Sequence, residues 1–414
     1  MIKYLQNYAT QAIVVFANLL IIGLCSRYLT PPEFAKFLTV NLLISLAIIF
    51  ESGAGPVFSK SKKNNLSSAT QKLKHYYYKR IITFLMISVI LFLLLQSVIK
   101  NYGNDSVFGT VTFIEYLLIL TTCLLKVSFA PNRGIILGSE KFSVLLVLQL
   151  IDFISKIFIM VLLLSSDRFN FANLLFAYII SHGIVLAYSH HISKKLPNTT
   201  KQQDPKITYC SLKKEFKTIS IGTSVWILFS NIDKLIIAAI SNQTLFSTYS
   251  IASTIGSFQN NIFGPAVPVI GQRLLQRQID KYSSFQNIIV ILFVGISVFG
   301  FTLVALHMFG EQLIQIWLGN NISEPAKIVK FAMWLSLIPV CNAGNGLAFN
   351  FQFAFNDMTV FRYMNFIAPI TTTVVLLFVL ASEQLEILPM LLGLSSTCIL
   401  ISNLLWIGLR LEKY

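Results

Sequence analysis

Apolar residues occur along this chain in long, nearly uninterrupted stretches rather than in alternating or amphipathic patterns. A helix needs about 20 apolar residues to cross the hydrocarbon core of a bilayer. About twelve such stretches occur, near residues 9–29, 37–58, 81–99, 111–130, 143–164, 171–190, 219–240, 247–270, 286–307, 328–348, 363–381 and 387–408. They are too long for the roughly ten-residue strands of a membrane β-barrel. The pattern therefore predicts an all-α integral membrane protein.

Composition and charge placement support this prediction. Hydrophobic residues make up 55% of the 414 residues and charged residues only 12%, whereas a soluble domain carries about 25% charged residues. The net charge of +15 raises the alternative of nucleic-acid binding. The lysine and arginine residues, however, lie in alternate loops, mainly near residues 59–80 and 191–218. By the positive-inside rule, both termini are then cytoplasmic. We expect these loops to set topology and touch membrane lipids, with no nucleic-acid partner.

The second basic loop falls near the middle of the chain. We predict an N-terminal six-helix bundle over residues 1–195, a basic cytoplasmic linker over 196–216 and a C-terminal six-helix bundle over 217–414. A shift of 212 residues lays Phe34–Val57 over Phe246–Val269 with five identities in 24 positions. Both halves start on the same side, so the repeats are parallel and related by a pseudo-two-fold axis along the membrane normal. Substrate sites are expected between such halves, near the midplane.

Charged side chains inside the predicted spans are the candidate functional residues. A charge at the bilayer centre costs roughly 2.5–3.5 kcal/mol on insertion scales, so it usually faces a polar interior. Asp152 and Lys156 in the fifth span lie one helical turn apart and can pair. Asp233 and Lys234 in the seventh span are adjacent, so their side chains diverge by about 100°. These groups either fix helix register as ion pairs or line a wet cavity that meets charged cargo or carries protons.

Other charges lie nearer the ends of the spans. Lys126 and Glu51 are placed toward the cytoplasmic ends of spans 4 and 2, where Lys126 could also snorkel to the interface. Arg27 lies at the outer end of span 1, and Arg273 follows span 8. His182, in the middle of span 6, is expected to hydrogen-bond a neighbouring helix more readily than to relay protons.

Motifs for enzymatic or cofactor chemistry are missing. The sequence contains no GxxxxGK[ST] phosphate loop, no HExxH and no GxSxG. Its five cysteines show no CxxC or metal-ligand spacing. We therefore expect a protein that is not an enzyme and uses no cofactor or metal. Transport would then be driven by a substrate gradient, an ion gradient or later consumption of the product.

Four short motifs resemble those of a known family. They are Ser26–Phe34 at the end of the first span, Phe50–Gly53 in the second, Gly138–Lys141 before the fifth, and Asn231–Ile237 followed by Tyr249–Ala252. Together with the size and the number of spans, they resemble polysaccharide exporters of the MATE-like superfamily, in particular the O-antigen flippases (the Wzx group). The resemblance covers the whole chain and implies a MATE-like fold of two six-helix bundles.

The resemblance also implies a function. Such proteins move undecaprenyl-diphosphate-linked oligosaccharide repeat units across the bacterial inner (plasma) membrane by alternating access, during lipopolysaccharide or other polysaccharide biosynthesis. H+ or Na+ is the candidate coupling ion, and a polysaccharide polymerase and a chain-length regulator are candidate partners. Binding of the anionic diphosphate requires cationic side chains. We select Lys126, Lys156 and Lys234 for this role, with Arg27 and Arg273 at the two mouths of the cavity. The acidic residues that would balance these charges or bind a proton are Glu51, Asp152 and Asp233.

Two alternatives remain. A MATE-type multidrug exporter would favour an acidic cavity for organic cations, whereas these spans offer comparable numbers of acidic and basic groups. A membrane polysaccharide polymerase or ligase would usually carry a large outer loop, and the longest connection there, around Glu311–Lys330, is short.

Overall fold

The structure is a computed structural model that describes residues 2–51, 53–63, 66–102, 110–139, 141–196, 208–258, 281–319, 322, 324–354, 358–382 and 384–410. These residues form helices joined by short connections. Contacts group them into two compact units, Met1–Phe246 and Ser247–Tyr414. The bundle limits expected from the sequence, 1–195 and 217–414, stay a prediction.

The first unit contains ten complete helices in its described part and the start of an eleventh. They are α1 (Ile2–Tyr28), α2 (Pro31–Glu51), α3 (Ala54–Lys63), α4 (Ser67–Tyr102), α5 (Phe113–Ser128), α6 (Ala130–Gly138), α7 (Phe142–Ser165), α8 (Phe171–Lys195), α9 (Tyr209–Phe229), α10 (Ile232–Ile240) and α11 (Gln243–Ser257). Helix α8 packs against both α5 and α7, while α2 packs against α5 and α9. Helices α3 and α8 terminate, and α4 begins, on one side of this unit. We call this side the basic end. Lys62 there donates a hydrogen bond to the backbone oxygen of Leu196 at 3.1 Å.

Several predicted spans are broken helices, and the breaks follow from local chemistry. Pro131 has no N–H, so it cannot donate to the carbonyl of Val127 one turn earlier. The buried Tyr77 hydroxyl donates to that carbonyl instead, at 2.7 Å, which satisfies a group that lipid could not. Between α2 and α3, Gly53 has φ of +80°, a left-handed conformation that glycine adopts without steric cost. Gly53 therefore allows the chain to bend within the predicted second span.

Apolar side chains cover the outward surface of the spans. On α7, Ile154, Phe158 and Val161 are all exposed and follow the spacing of one helical face. Leu148 and Met160, on the opposite face, are fully buried. Seven helical segments of the described chain, α7 and α8 among them, are long and apolar enough to cross a membrane. The first unit is thus built to expose apolar residues to lipid.

The second unit contains the rest of α11 and five further helices in its described part. They are α12 (Lys281–Leu318), α13 (Pro325–Leu335), α14 (Leu337–Ala354), α15 (Met358–Ser382) and α16 (Leu388–Arg410), with a 3₁₀ turn at Leu385–Ile387. Helix α16 packs against α13, α14 and α15. Asn403 on α16 donates to Asn345 on α14 at 2.8 Å, and Lys327 pairs with Glu386 at 2.6 Å.

The described helices overlap the predicted spans, with several differences; the second and tenth spans, for example, are each divided between two helices. The segment 59–80, expected as a loop, is largely helical, because α3 extends to Lys63 and α4 begins at Ser67. The seventh span, expected to be continuous over 219–240, is divided into α9 and α10. Residues 259–280, which include the second half of the predicted eighth span, lie outside the described residues.

Candidate functional site

A buried ionic network lies between α7 and α8 in the first unit. Lys156 Nζ is 2.7 Å from Asp152 Oδ2, and the two side chains are only 9% and 14% exposed. This confirms the pairing expected from their spacing of one turn. The face that carries them lies opposite the lipid-facing stripe of α7, so the charges point into the protein, as the energetic cost of a charge in lipid requires.

Side chains of helix α8 supply the other hydrogen-bond partners of the Asp152 carboxylate. Ser181 Oγ lies 2.8 Å from Asp152 Oδ1, and His182 Nδ1 lies 3.1 Å from the same oxygen. An ionised carboxylate only accepts hydrogen bonds, so Nδ1 must carry the hydrogen in this arrangement. Ser155 Oγ donates to Ser181 Oγ at 2.8 Å. The expectation that His182 would bond a neighbouring helix is confirmed.

The Lys156 ammonium has an aromatic contact as well. Its Nζ lies 4.8 Å from the centroid of the Tyr178 ring, which is close enough for a cation–π interaction. The ring of Tyr178 also packs edge-on against that of His182, with centroids 6.0 Å apart. The Asp152 carboxylate and the Tyr178 ring therefore stabilise the Lys156 ammonium in a place that water does not reach freely.

A small cavity opens beside this network, and Lys126 contributes to it. Lys126, Gln149, Asp152 and His182 supply its polar lining, and apolar side chains of α5, α7 and α8 complete it. The space is about the size of one water molecule. In this conformation the cavity can hold a water beside Asp152 but is too small for a diphosphate.

Asp233 and Lys234 occupy the start of a half-helix. Helix α9 ends at Phe229 and α10 begins at Ile232, and the Asn231 side chain donates to the backbone oxygen of Ile227 at 2.9 Å. Asp233 is buried in the first turn of α10. The unpaired N–H groups and positive dipole of a helix N-terminus stabilise a carboxylate there. Lys234, the next residue, is less buried.

The remaining predicted residues lie apart from the network. Glu51, at the end of α2, pairs with Arg133 of α6 at 3.0 Å. Arg27 is exposed in the last turn of α1, and Arg273 lies outside the described residues. The structure therefore brings together Lys126, Asp152 and Lys156 of the predicted set.

Sequence reasoning did not identify the partners on other helices. Ser181 was not singled out, and the Glu51–Arg133 pair joins residues that are 82 positions apart. The adjacent polar residues Ser181 and His182 in an apolar span were a usable signal, since buried polar groups in a membrane need partners. Within the described chain, no group of His, Cys, Asp and Glu side chains could hold a metal ion.

The fold is that of known membrane transporters. An inward-facing multidrug resistance MATE family transporter of the MOP superfamily matches with a TM-score of 0.72 at 12% identity, covering 99% of this chain and 95% of that one. The lipid II flippase MurJ, in an inward closed conformation, also matches with a TM-score of 0.72 at 12% identity, covering 98% and 87%. A variant of the Vibrio cholerae MATE transporter VcmN gives 0.65 at 13% identity, covering 100% and 97%. The protein therefore has the all-α, MATE-like fold expected from its sequence, and these matching proteins are transporters and a flippase rather than enzymes.

A family assignment follows from the sequence itself. The profile of a family described as polysaccharide biosynthesis protein matches residues 5–271, which is more than half of the chain. The search of curated protein sequences gave no match. The chain belongs to the polysaccharide biosynthesis protein family, and it is a multi-pass membrane protein.

Proposed function

We propose that this protein is a flippase for undecaprenyl-diphosphate-linked repeat units of O-antigen or a similar surface polysaccharide. It would carry the sugar and diphosphate from the cytoplasmic to the periplasmic leaflet of a bacterial inner membrane by alternating access, with H+ or Na+ as the coupling ion. A polysaccharide polymerase and a chain-length regulator would act on the product. Family membership and the MATE-like fold, which a lipid II flippase shares, support this proposal.

The buried Asp152–Lys156 pair is the observation that carries the proposal. An ion pair that only fixed packing could be replaced by apolar residues of similar volume with little loss of stability, or with a gain. A pair that opens during transport supplies something that apolar residues cannot, namely a cation for an anionic head group and a carboxylate for a proton or metal cation. The water-sized cavity beside Asp152 is suited to ion or proton entry.

We assign the predicted residues to two roles. Lys126, Lys156 and Lys234 would bind the diphosphate as the cavity opens, with Arg27 and Arg273 at its mouths. Asp152, Asp233 and Glu51 would balance these charges or take up the coupling ion. Because Lys156 is bonded to Asp152 at 2.7 Å, it reaches cargo only after that pair separates. Lys126, for which no such short ion pair exists among the described residues, is the group that cargo would meet first.

The assignment is tested by replacing lysines in the native host. Lys156→Ala and Lys234→Ala are expected to abolish surface polysaccharide and to cause lipid-linked repeat units to accumulate, as measured in lipid extracts by mass spectrometry. Lys214→Ala is the matched control, because Lys214 is exposed on α9 and lies outside the proposed cavity. The amount of each variant in the membrane fraction shows whether it inserts.

Two results would count against the proposal. Full export in both Lys156→Ala and Lys234→Ala would contradict the cavity assignment. Loss of the gene without accumulation of lipid-linked repeat units, accompanied by increased sensitivity to cationic drugs, would instead identify a multidrug exporter.

A further inference from the structure

A second polar cluster lies at the basic end of the first unit, away from the Asp152 network. It is formed where α4, α6 and α8 meet and consists of Lys74, Asn132, His190 and Lys194, here called the basic-end cluster. Lys74 Nζ is 3.4 Å from Asn132 Oδ1, and Lys194 is close enough to interact electrostatically with Lys74.

The Asn132 amide holds this cluster in place. Asn132 is 1% exposed, and its Nδ2 donates to Ser189 Oγ at 3.1 Å. Ser193 Oγ donates to its Oδ1 at 3.3 Å. The Lys74 ammonium therefore shares a neutral oxygen with a serine, at a distance that makes the hydrogen bond weak. A neutral acceptor leaves the positive charge of Lys74 uncompensated.

No carboxylate pairs with the three basic residues of this cluster in the part of the chain that the structure describes. Burial and the nearby charge of Lys194 both lower the pKa of Lys74. Lys60, at the same end of the unit, shows the usual alternative, since it pairs with Glu215 at 2.7 Å. Like charges held together without an acid are expected to favour the binding of an anion.

The surface next to the cluster faces lipid. Ile184 and Tyr188, which precede His190 and Lys194 on α8, are 44% and 40% exposed. On α4, Ile82 and Met86 are exposed two and three turns beyond Lys74. The cations thus lie where an apolar, lipid-facing surface ends, which is the level of the phospholipid head groups.

We propose that the basic-end cluster binds the phosphate group of an anionic phospholipid in the leaflet on the basic side of the membrane. Lys74 and Lys194 contact the phosphate oxygens, His190 lies beside them, and the acyl chains lie along the exposed residues of α8. Basic pockets between membrane helices on the cytoplasmic side are suited to such head groups. This site is separate from the proposed cargo cavity and does not depend on which cargo is carried.

The test uses the purified, delipidated full-length protein. Binding of phosphatidylglycerol and of phosphatidylcholine is measured by native mass spectrometry for the wild type, Lys74→Gln, Lys194→Gln and the double variant. Each substitution is expected to weaken phosphatidylglycerol binding about fivefold, with the two effects combining in the double variant, and to leave phosphatidylcholine binding unchanged. Lys72→Gln is the control, because it removes the same charge from an exposed position on α4.

Equal phosphatidylglycerol binding by the wild type and the double variant would overturn the proposal. So would an equal loss in Lys72→Gln, which would indicate a diffuse effect of surface charge. Displacement of the lipid by equimolar pyrophosphate would show that the site prefers a soluble phosphate and would overturn the lipid assignment. Lys74→Arg retains the charge and is expected to retain binding, and thermal unfolding of each variant shows that a loss is not due to misfolding.

Discussion

At the scale of single residues, the Asp152–Lys156 pair decides between a structural and a functional reading. Asp152→Asn leaves the Lys156 ammonium buried without a counter-charge. Lys156→Met likewise leaves the Asp152 carboxylate buried without a counter-charge. Removing one partner of a buried pair costs about 3–5 kcal/mol of unfolding free energy, whereas replacing both is often close to neutral. We expect each single variant to lose thermal stability in detergent and the double variant to recover most of it.

Transport activity in the same three variants separates the two readings. If the pair takes part in transport, the double variant remains inactive although it is stable. A double variant that is both stable and fully active would show that the pair only fixes helix register.

The sequence predicted this pair because both residues lie on one helix, where side chains four residues apart are neighbours on the same face. It did not predict Ser181 and Tyr178 as further partners. Their positions depend on how α8 packs on α7, and no local spacing encodes the register between two helices. The same reason explains why the pairing of Glu51 with Arg133 on α6 was not predicted.

At the scale of helices, the contact between α3 and α6 depends on two glycines of α6. A Cβ at Gly138 would lie 2.5 Å from the Ser59 backbone oxygen, and one at Gly134 would lie 2.7 Å from Phe58 Cβ. Small residues spaced by four allow such close approach of membrane helices. Because backbone atoms of α3 are in contact at Gly138, the helices must separate to admit a side chain.

Gly138→Ala is therefore expected to destabilise the protein by about 1–3 kcal/mol, the usual cost of overpacking, as measured by thermal unfolding. Gly55→Ala is a control in the same helix pair, because a Cβ there would meet nothing within 4 Å. That variant is expected to be neutral or slightly more stable, since alanine favours the helix. Equal stability of the two variants would contradict the close contact.

A helix break can be read from the sequence only where the residue type itself favours one, as at Gly53 with its φ of +80°. The break after Phe229 was not expected, because Ser230 and Asn231 interrupt an apolar run too briefly to change its hydropathy. The consequence is that Asp233 lies at a helix N-terminus, where the helix dipole favours its charge.

At the scale of the whole molecule, hydropathy alone predicted the fold class, because the bilayer leaves so few structures for a long apolar run. The helices of the described chain coincide with the predicted spans, and the fold matches those of MATE family transporters. The predicted orientation in the membrane rests on the distribution of lysine and arginine between the two sides.

Labelling of single cysteines tests that orientation. Cys210 is exposed at the start of α9, beside Lys213 and Lys214, and the other four cysteines can be replaced by serine. Ser166, exposed between α7 and α8, lies at the opposite end of α8 from Lys194 and Lys195. If the basic end is cytoplasmic, a membrane-impermeant maleimide labels Cys210 in inverted vesicles and not in sealed right-side-out vesicles. A Ser166→Cys variant that lacks the native cysteines gives the reverse pattern, and detergent treatment exposes both positions to the reagent. Labelling of Cys210 from the outside would place the basic residues on the periplasmic side and would contradict the predicted orientation.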